Sequence, residues 1–231
     1  MTDRYKRHLP LLTEAAWKRL RETPLLLAGV GGLGSHVLES VARLGPLTIE
    51  FWDPGTLNEP DLNRQILYTE GDLGRLKVEA AAEVLRRING ELTLRPVAAS
   101  LSASAFEAES SLAGKDFVIF DCLDTFSARA ELDAIHRRTG APLFHGGVEG
   151  WYGQATTFLD REEGYEKVFG PEYAAIPGAG KPILPQTVAA VASFQVAEYL
   201  HWCENPEATP LSSAMLVYDG SSMRVDRVEL S

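Results

Sequence analysis

The sequence contains few cysteines and no long apolar run. Cys122 and Cys203 are the only cysteines among 231 residues. The chain therefore lacks the pattern of a disulfide framework or of a Cys-x-x-Cys zinc site, and we expect no zinc and two packed, unreactive thiols. No apolar run approaches the roughly 20 residues that cross a bilayer. The basic N-terminus has no apolar stretch behind it, so no signal peptide is predicted and we expect a cytoplasmic protein without membrane contact.

Positive charge is scarce as well. The formal net charge is −10 at pH 7, which argues against a general nucleic-acid binder because such proteins present a basic face. A local basic pocket for a triphosphate is still compatible with that total. The length fits one large α/β domain with a sizeable core, and we expect residues 1–231 to form a single domain.

The stretch from Leu25 to Ser35 organises the rest of the chain. Apolar residues 25–28 lead into a Gly-x-Gly-x-x-Gly pattern, and helical periodicity follows over 33–44. This pattern predicts a buried strand, a tight glycine turn and a helix whose first amides face a phosphate. Asp53 follows the second apolar strand, about 20 residues after the last glycine, where a carboxylate accepts hydrogen bonds from a ribose hydroxyl. A nucleotide site is predicted, and two classes stay open: a nicotinamide or flavin oxidoreductase and an ATP-using adenylating enzyme.

Strand and helix patterns alternate along most of the chain. Predicted strands lie at 25–28, 47–52, 92–97, 117–120 and 142–147, with antiparallel strands over 152–159 and 216–230. Predicted helices lie at 13–20, 33–44, 102–112 and 184–202. A further helix is opened by residues 73–77 and continues to 88, and another is capped by Asp124 or Thr125 and runs to Gly140. A glycine- and proline-rich loop is expected over about 162–183, and loops of that length are usually functional or mobile. The predicted fold is α/β, with a Rossmann-like, mostly parallel sheet flanked by helices and an antiparallel C-terminal extension.

Charged and polar residues follow the second and fourth predicted strands. The loop 54–65 ends in Asn63-Arg64-Gln65 and leaves the carboxyl end of a strand, where ligands of open α/β sheets bind. Lys77 falls in the first turn of the next helix, where a cation is mildly unfavourable with the helix dipole, so a nearby anion accounts for it better. Asp124 follows the buried strand 117–120 through Asp121-Cys122-Leu123.

The combination of these segments in this order resembles the MoeB/ThiF/HesA adenylyltransferases, the bacterial relatives of the ubiquitin-activating enzymes. The similarity runs from Arg4-Tyr5-Lys6-Arg7 to Leu216-Val217-Tyr218-Asp219, nearly the whole chain. Taken singly, Asp53 could end a strand, Arg64 could form a surface ion pair and Asp124 could cap a helix. No structural need places all of them in this order. Asn-Arg-Gln followed by Gly-x-x-Lys and Asp-Cys-x-Asp is far more specific than the glycine loop.

The resemblance implies a reaction that needs ATP and Mg²⁺. The C-terminal Gly-Gly carboxylate of a small β-grasp, ubiquitin-like sulfur carrier would attack the α-phosphate of ATP, releasing pyrophosphate and leaving an acyl-adenylate. Cations and Mg²⁺ would offset the repulsion between carboxylate and triphosphate; the resemblance assigns that role to Arg64 and Lys77, with Asp124 holding Mg²⁺. The arginine matching Arg7 would reach across a two-fold axis to the neighbour's triphosphate, which implies a homodimer. The implied nucleotide-binding residues are Gly29, Gly31, Gly32, Gly34, Asp53, Asn63, Gln65 and Leu123.

The resemblance also divides the single domain into three parts. Residues 1–23 would form an N-terminal arm and helix, 24–150 the nucleotide-binding part, and 151–231 a crossover loop, a helix and antiparallel strands that bind the carrier. Many relatives carry a cysteine in the crossover loop, but 160–190 contains none. We therefore expect the chemistry to stop at the acyl-adenylate, with sulfur delivered by another protein.

Further departures from the family pattern lie beside the expected nucleotide site, and two rival functions stay open. Asp61 and Gly55 stand where many relatives have asparagine and a second aspartate, which bears on nucleotide affinity. Arg129 matches a position that is often basic in the family, although a helix-surface role is equally open. A tRNA-modifying dehydratase of the same superfamily would need a basic RNA surface, which the net charge of −10 disfavours. An NAD-dependent oxidoreductase would need hydride-site residues in the second half of the chain.

Overall fold

One eight-stranded sheet runs through the protein. The computed structural model describes residues 3–178, 180 and 182–230. The strand order is β3-β2-β1-β4-β5-β6-β7-β8, parallel from β3 to β5 and antiparallel from β5 to β8. The strands are β1 (Leu25–Ala28), β2 (Thr48–Trp52), β3 (Thr93–Val97), β4 (Val118–Asp121), β5 (Leu143–Glu149), β6 (Tyr152–Phe158), β7 (Ala214–Asp219) and β8 (Arg224–Glu229). This topology confirms the predicted fold class, including the antiparallel extension.

Helices cover both faces of the sheet, and four of them connect the parallel strands. They are α1 (Glu14–Glu22), α2 (Gly32–Leu44), α3 (Lys77–Ile88), α4 (Ala103–Glu109), α5 (Phe126–Thr139), α6 (Tyr165–Phe169) and α7 (Pro185–Glu204). α1, α4 and α5 begin where the side chains of Thr13, Ser102 and Thr125 accept a hydrogen bond from a first-turn amide, because hydroxyl oxygens satisfy the unpaired amides of a helix start. No helix in the described part of the chain has the length and apolarity that a membrane span requires.

Two large apolar clusters, one on each face of the sheet, form most of the core of the described residues, and a small third cluster contains Ala155, Leu211 and Ala214. Successive strand residues point to opposite faces, so Leu25 and Leu27 of β1 pack with α1, α2, α3 and α7. Leu26 and Ala28 of the same strand pack with α4, α5 and α6. The near-continuous apolar sequence of β1 is thus explained by burial on both sides.

Part of the predicted loop 162–183 is helical. α6 and a 3-10 turn at Tyr173–Ala175 lie inside it. Tyr165 and Tyr173 are buried in the second apolar cluster, so aromatic burial gives regular structure to a segment whose composition suggested a loop. The prediction is wrong over these two elements. Ala179 and Lys181, also within the predicted loop, lie outside the described residues.

The helix predicted over 102–112 is shorter than expected. It ends at Glu109 because Ser110 and Ser111 turn to donate hydrogen bonds of 2.6 Å to the carboxylate of Glu50. Glu50 is fully buried on β2, and a buried carboxylate requires such donors. The helix therefore stops where the chain must satisfy Glu50.

Candidate nucleotide-binding site

A cavity of about 690 Å³ opens at the carboxyl ends of the parallel strands. It lies where β1 separates β2 on one side from β4 on the other, which is the edge where open α/β sheets bind ligands. Its volume is in the range of sites for small molecules. The predicted residues that line it are Gly29, Gly31, Gly32, Asp53, Arg64, Gln65, Lys77, Leu123 and Asp124.

The glycine turn brings backbone close to this cavity. Gly29 has φ +88°, and a Cβ there would lie 2.7 Å from the carbonyl oxygen of Cys122. A Cβ on Gly32 would lie 3.2 Å from Val188 and 3.5 Å from the Arg64 stem. Helix α2 starts after Gly31 without a side-chain cap, so its first amides are left to the cavity. An uncapped helix N-terminus that borders a cavity is suited to a phosphate.

Three predicted site residues are absent from the described residues that line the cavity: Gly34, Asn63 and Arg7. A Cβ on Gly34 would lie 1.9 Å from the carbonyl oxygen of Gly29, so this glycine serves the contact between turn and helix. The side-chain oxygen of Asn63 accepts a hydrogen bond of 2.9 Å from Arg64 Nη1. Asn63 therefore contacts a cavity-lining cation rather than the cavity.

Arg7 is exposed near the opposite end of α2. The neighbouring His8 contacts the backbone of Leu44, the last residue of that helix, and burial lowers the pKa of this histidine. The cavity faces the first residue, Gly32, and a helix of this length spans about 20 Å. Arg7 thus lies on a part of the surface remote from its own chain's cavity.

Asp53 joins the glycine turn to the loop that follows β2. Its Oδ2 accepts a hydrogen bond of 2.7 Å from the Val30 amide, and its Oδ1 accepts one of 2.7 Å from the Gly55 amide. A carboxylate has about four lone-pair sites, so each oxygen retains capacity for a further donor. Asp53 lines the cavity and is positioned both to hold its wall and to receive a ligand hydroxyl.

Asp61 contacts both predicted cations. Its carboxylate oxygens lie 3.4 Å from Lys77 Nζ and 3.6 Å from Arg64 Nη2. It also accepts a hydrogen bond of 2.7 Å from Gln65 Nε2, while Gln65 Oε1 is buried without a partner among the described residues. The anion expected beside Lys77 is therefore present within the chain itself. The sequence marked Asp61 only as a departure from the family pattern and did not reveal this pairing.

A second buried carboxylate, Asp121, holds the loop that carries Asp124. Its Oδ1 accepts from the Leu123 amide at 2.9 Å, and its Oδ2 accepts from Arg129 at 2.9 Å and from Tyr165 at 2.6 Å. Burial alone would raise the pKa of Asp121, but Arg129 and its other partners outweigh burial and lower the pKa to about 2. Asp121 is thus charged at neutral pH, and Arg129, buried on α5, is an internal partner rather than a surface residue.

His145 completes the network around Asp121. Its Nδ1 lies 2.6 Å from Asp121 Oδ2, and its Nε2 lies 3.2 Å from Gln154 Nε2. Burial lowers the pKa of His145, so the ring is neutral near pH 7, with Nδ1–H donating to Asp121 and Nε2 accepting from Gln154. No sequence motif identified His145 or Tyr165, because they lie on separate elements that meet only in the fold.

The two cysteines are buried thiols. Burial raises the pKa of Cys122 well above its ordinary value and raises that of Cys203 to about 12. Both are therefore protonated near neutral pH, and the thiolate is the nucleophilic form. Cys122 reaches the cavity wall, but its protonation state does not suit it to covalent chemistry.

Carboxylates in the cavity wall are compatible with Mg²⁺. Asp124 is exposed and lines the cavity, and Asp61 also lines it. The described residues contain no group of three or more histidines, cysteines or carboxylates that would form a metal site by itself. Mg²⁺ is commonly held by one or two carboxylates together with substrate phosphates, and the cavity offers that donor set.

The site combines a glycine turn, the uncapped start of α2 and two cations, Arg64 and Lys77, at the carboxyl edge of a mostly parallel sheet. These features define a Rossmann-like nucleotide-binding protein. The chain belongs to the ThiF family, whose model matches residues 5–231. It is 29% identical to the SAMP-activating enzyme E1 of Haloferax volcanii, over 98% of this chain and 84% of that protein. It is also 29% identical to the molybdopterin-synthase adenylyltransferase of Salmonella typhimurium, over 91% of this chain and 84% of that protein.

The fold has counterparts among solved structures. E. coli MccB, in a crystal structure with ATP, superposes with a TM-score of 0.81 at 16% identity, over 100% of this chain and 72% of that chain. PaaA superposes with a TM-score of 0.80 at 18% identity, over 99% of this chain and 73% of that chain. These likenesses concern the fold. The predicted enzyme class, adenylyltransferase, is confirmed by the relatives that carry that name.

Proposed function

We propose that the protein uses ATP to adenylate the C-terminal glycine carboxylate of a small ubiquitin-like sulfur carrier, with release of pyrophosphate. The observation that carries the proposal is the meeting of Arg64 and Lys77 with the uncapped start of α2 in one cavity. The names of two relatives, a SAMP-activating enzyme and a molybdopterin-synthase adenylyltransferase, support a carrier of this kind.

The chemical difficulty of the reaction is electrostatic. A carboxylate must approach the α-phosphate of a triphosphate, so negative charge has to be neutralised along the phosphates. Arg64, Lys77 and the α2 amides would supply positive potential, and Asp53 would receive the ribose. Asp124 would hold Mg²⁺, which, when bound, would neutralise charge on the phosphates and on the departing pyrophosphate.

The carrier tail would enter along β5 and β6. Gly147, Gly153 and Gln154 line the cavity on that side. Phe169 and Gly178, from the segment 162–183, border the same space, so this segment would guide the tail. Because both cysteines are protonated and 160–190 contains no cysteine, we propose that this protein's chemistry ends at the acyl-adenylate.

The position of Arg7 is the basis for a proposed assembly. Its exposure and its distance from its own cavity support a homodimer in which Arg7 contacts the triphosphate held by the neighbouring subunit. The single-domain division at 1–23, 24–150 and 151–231, the cytoplasmic location and the absence of zinc stay predictions of the same proposal. So does the absence of nucleic-acid binding.

ATP–pyrophosphate exchange tests the proposal directly. Purified protein would be incubated with Mg²⁺, ATP, labelled pyrophosphate and a panel of β-grasp proteins that end in Gly-Gly. We expect exchange with at least one carrier, and none when that carrier lacks its last two glycines. If no carrier supports exchange and the protein binds NAD, the proposal is replaced by an oxidoreductase. If no carrier supports exchange and ATP turnover depends on tRNA, it is replaced by a tRNA dehydratase.

A further inference from the structure

Asp61 is the shared counterion of the two cations that face the phosphate region. Its carboxylate lies 3.4 Å from Lys77 Nζ and 3.6 Å from Arg64 Nη2. The Asp61 and Lys77 side chains are each 14% exposed and that of Arg64 is 23% exposed, so the three charges are only partly screened by water. All three line the cavity.

The carboxylate is fixed in place by the local backbone. Asp61 occupies the third position of a 3-10 turn at Glu59–Asp61, and its Oδ2 accepts a hydrogen bond of 3.1 Å from the Asn58 amide. Its Oδ1 accepts from Gln65 Nε2 at 2.7 Å. Rotation of the side chain out of the cavity would break both hydrogen bonds. A ligand that enters the cavity therefore encounters this negative charge at a fixed position.

A triphosphate that binds Arg64 and Lys77 takes both cations from Asp61. The carboxylate is then left beside the phosphates with only neutral donors, and like charges at short range in a partly dehydrated cavity repel strongly. A divalent cation on the phosphates lowers their charge and provides a new counterion for the carboxylate. The repulsion consequently falls mainly on nucleotide without metal.

We propose that Asp61 determines specificity for metal-complexed nucleotide: it penalises metal-free ATP through its shared pairing with Arg64 and Lys77. The inference rests on the proposed ATP site and adds a role for a residue that touches both cations of that site. Its consequence is that Asp61 sets how strongly Mg²⁺ promotes nucleotide binding, before any chemistry occurs.

The chain contains a matched control for this charge. Asp72 occupies the same third position of a second 3-10 turn, Glu70–Asp72. It accepts from the Thr69 amide at 3.0 Å and pairs with Arg75 at 2.8 Å, three residues later, as Asp61 pairs with Arg64. Asp72 is not among the described residues that line the cavity. Asp72→Asn therefore removes the same charge from the same local structure outside the site.

Isothermal titration calorimetry with ATP, in EDTA and in excess Mg²⁺, tests the inference without any turnover. For wild type we expect Mg²⁺ to raise ATP affinity steeply. For Asp61→Asn we expect the ratio of affinities with and without Mg²⁺ to fall by about tenfold or more, mainly because metal-free ATP binds more tightly. Asp72→Asn should keep the wild-type ratio. Asp61→Ser, which keeps an oxygen for the Asn58 amide, serves if the asparagine variant melts early.

Each other outcome decides against the inference. An Asp61→Asn ratio within about twofold of wild type would overturn the role of Asp61 while leaving the ATP site intact. An equal change of the affinity ratio in Asp72→Asn would show that the effect comes from the net charge of the protein and not from the position of Asp61. ATP binding absent from wild type in both conditions would overturn the proposed function and this inference together.

Discussion

Tyr165 donates a hydrogen bond of 2.6 Å to the carboxylate of Asp121, 44 positions earlier in the chain. Tyr165 lies on α6, within the segment 162–183 that borders the proposed path of the carrier tail, and Asp121 holds the loop that carries Asp124. Gly178 continues this connection, since a Cβ there would lie 3.1 Å from the Asp124 carbonyl oxygen. The segment proposed to guide the carrier tail therefore contacts the loop that carries Asp124, the residue proposed to hold Mg²⁺.

Removal of the Tyr165 hydroxyl should weaken this connection. Tyr165→Phe keeps the ring packing but deletes a buried hydrogen bond to a charged group, so the free energy of unfolding should fall by about 1.5–3 kcal/mol. Urea denaturation measures the change. Tyr173→Phe, which loses only a 3.3 Å contact with Asp133, is the matched control and should cost less. Equal losses in the two variants would contradict a special role for the Tyr165–Asp121 bond.

Asp124→Ala should remove function without removing the fold. Asp124 is exposed to the cavity, so the variant should unfold at the wild-type urea concentration. If Asp124 holds Mg²⁺, carrier-dependent pyrophosphate exchange should fall by at least about 100-fold, because charge neutralisation at the phosphates is lost. Exchange at the wild-type rate in the folded variant would refute the proposed metal role.

Arg7 and Lys77 should complement each other across a dimer. Arg7→Ala and Lys77→Ala should each be nearly inactive alone, while a mixed dimer contains one site with both cations intact. Random reassortment of equal amounts should restore about a quarter of wild-type exchange activity. Mixing Lys77→Ala with Arg64→Ala is the control: both residues line the same subunit's cavity, so every site of the mixed dimer lacks one of them and no rescue is expected. Lack of rescue in the Arg7 mixture as well would argue against a site shared between the two subunits.

Acid should remove the stability that Asp121 contributes. Its folded-state pKa is lowered from 3.8 to about 2, so the stabilisation is present above pH 3.8 and is lost as the pH falls towards 2. The corresponding contribution is about 2 kcal/mol. Asp121→Asn should show a smaller decline in unfolding free energy across this range than wild type. If that variant does not fold, the titration of the ¹³C-labelled Asp121 carboxyl in wild type gives the same answer, and a midpoint near 4 would contradict the prediction.

Both cysteines should be dispensable for adenylation. Cys122 and Cys203 are buried with raised pKa values, so the double variant Cys122→Ala/Cys203→Ala should keep pyrophosphate exchange within about threefold of wild type. Its stability should fall by about 1–2 kcal/mol from lost packing. Loss of exchange in a folded double variant would indicate a covalent step at one of the thiols.

The sequence predicted the sheet and the location of the site because both depend on local patterns. Buried strands separated by amphipathic helices identify a parallel sheet, and its carboxyl edge gathers the residues that follow each strand. Gly29, Arg64, Lys77 and Asp124 were therefore expected in one cavity, and they line it. Gly34 shares the glycine motif with Gly29 but packs against the turn, since a motif does not say which glycine faces the ligand.

No sequence pattern predicted the contacts between elements that are distant in the chain. The Asp121 network joins β4, β5, α5 and α6, and no spacing in the sequence relates those positions. The pairing of Asp61 with Lys77 likewise depends on how the loop after β2 folds back onto the start of α3. Composition was misleading in the segment 162–183, where glycine and proline suggested a loop and two buried tyrosines produced helical turns.

The two hydrogen bonds of Asp53 have a thermodynamic consequence for ligand binding. Because Asp53 ties the Val30 amide to the Gly55 amide through one carboxylate, the phosphate-facing turn and the cation-bearing loop are ordered together during folding. Nucleotide then meets a preorganised surface, and little backbone entropy remains to be lost on association. Amide hydrogen exchange at Val30 and Gly55 should accordingly be slow in the free protein and change little when ATP is added.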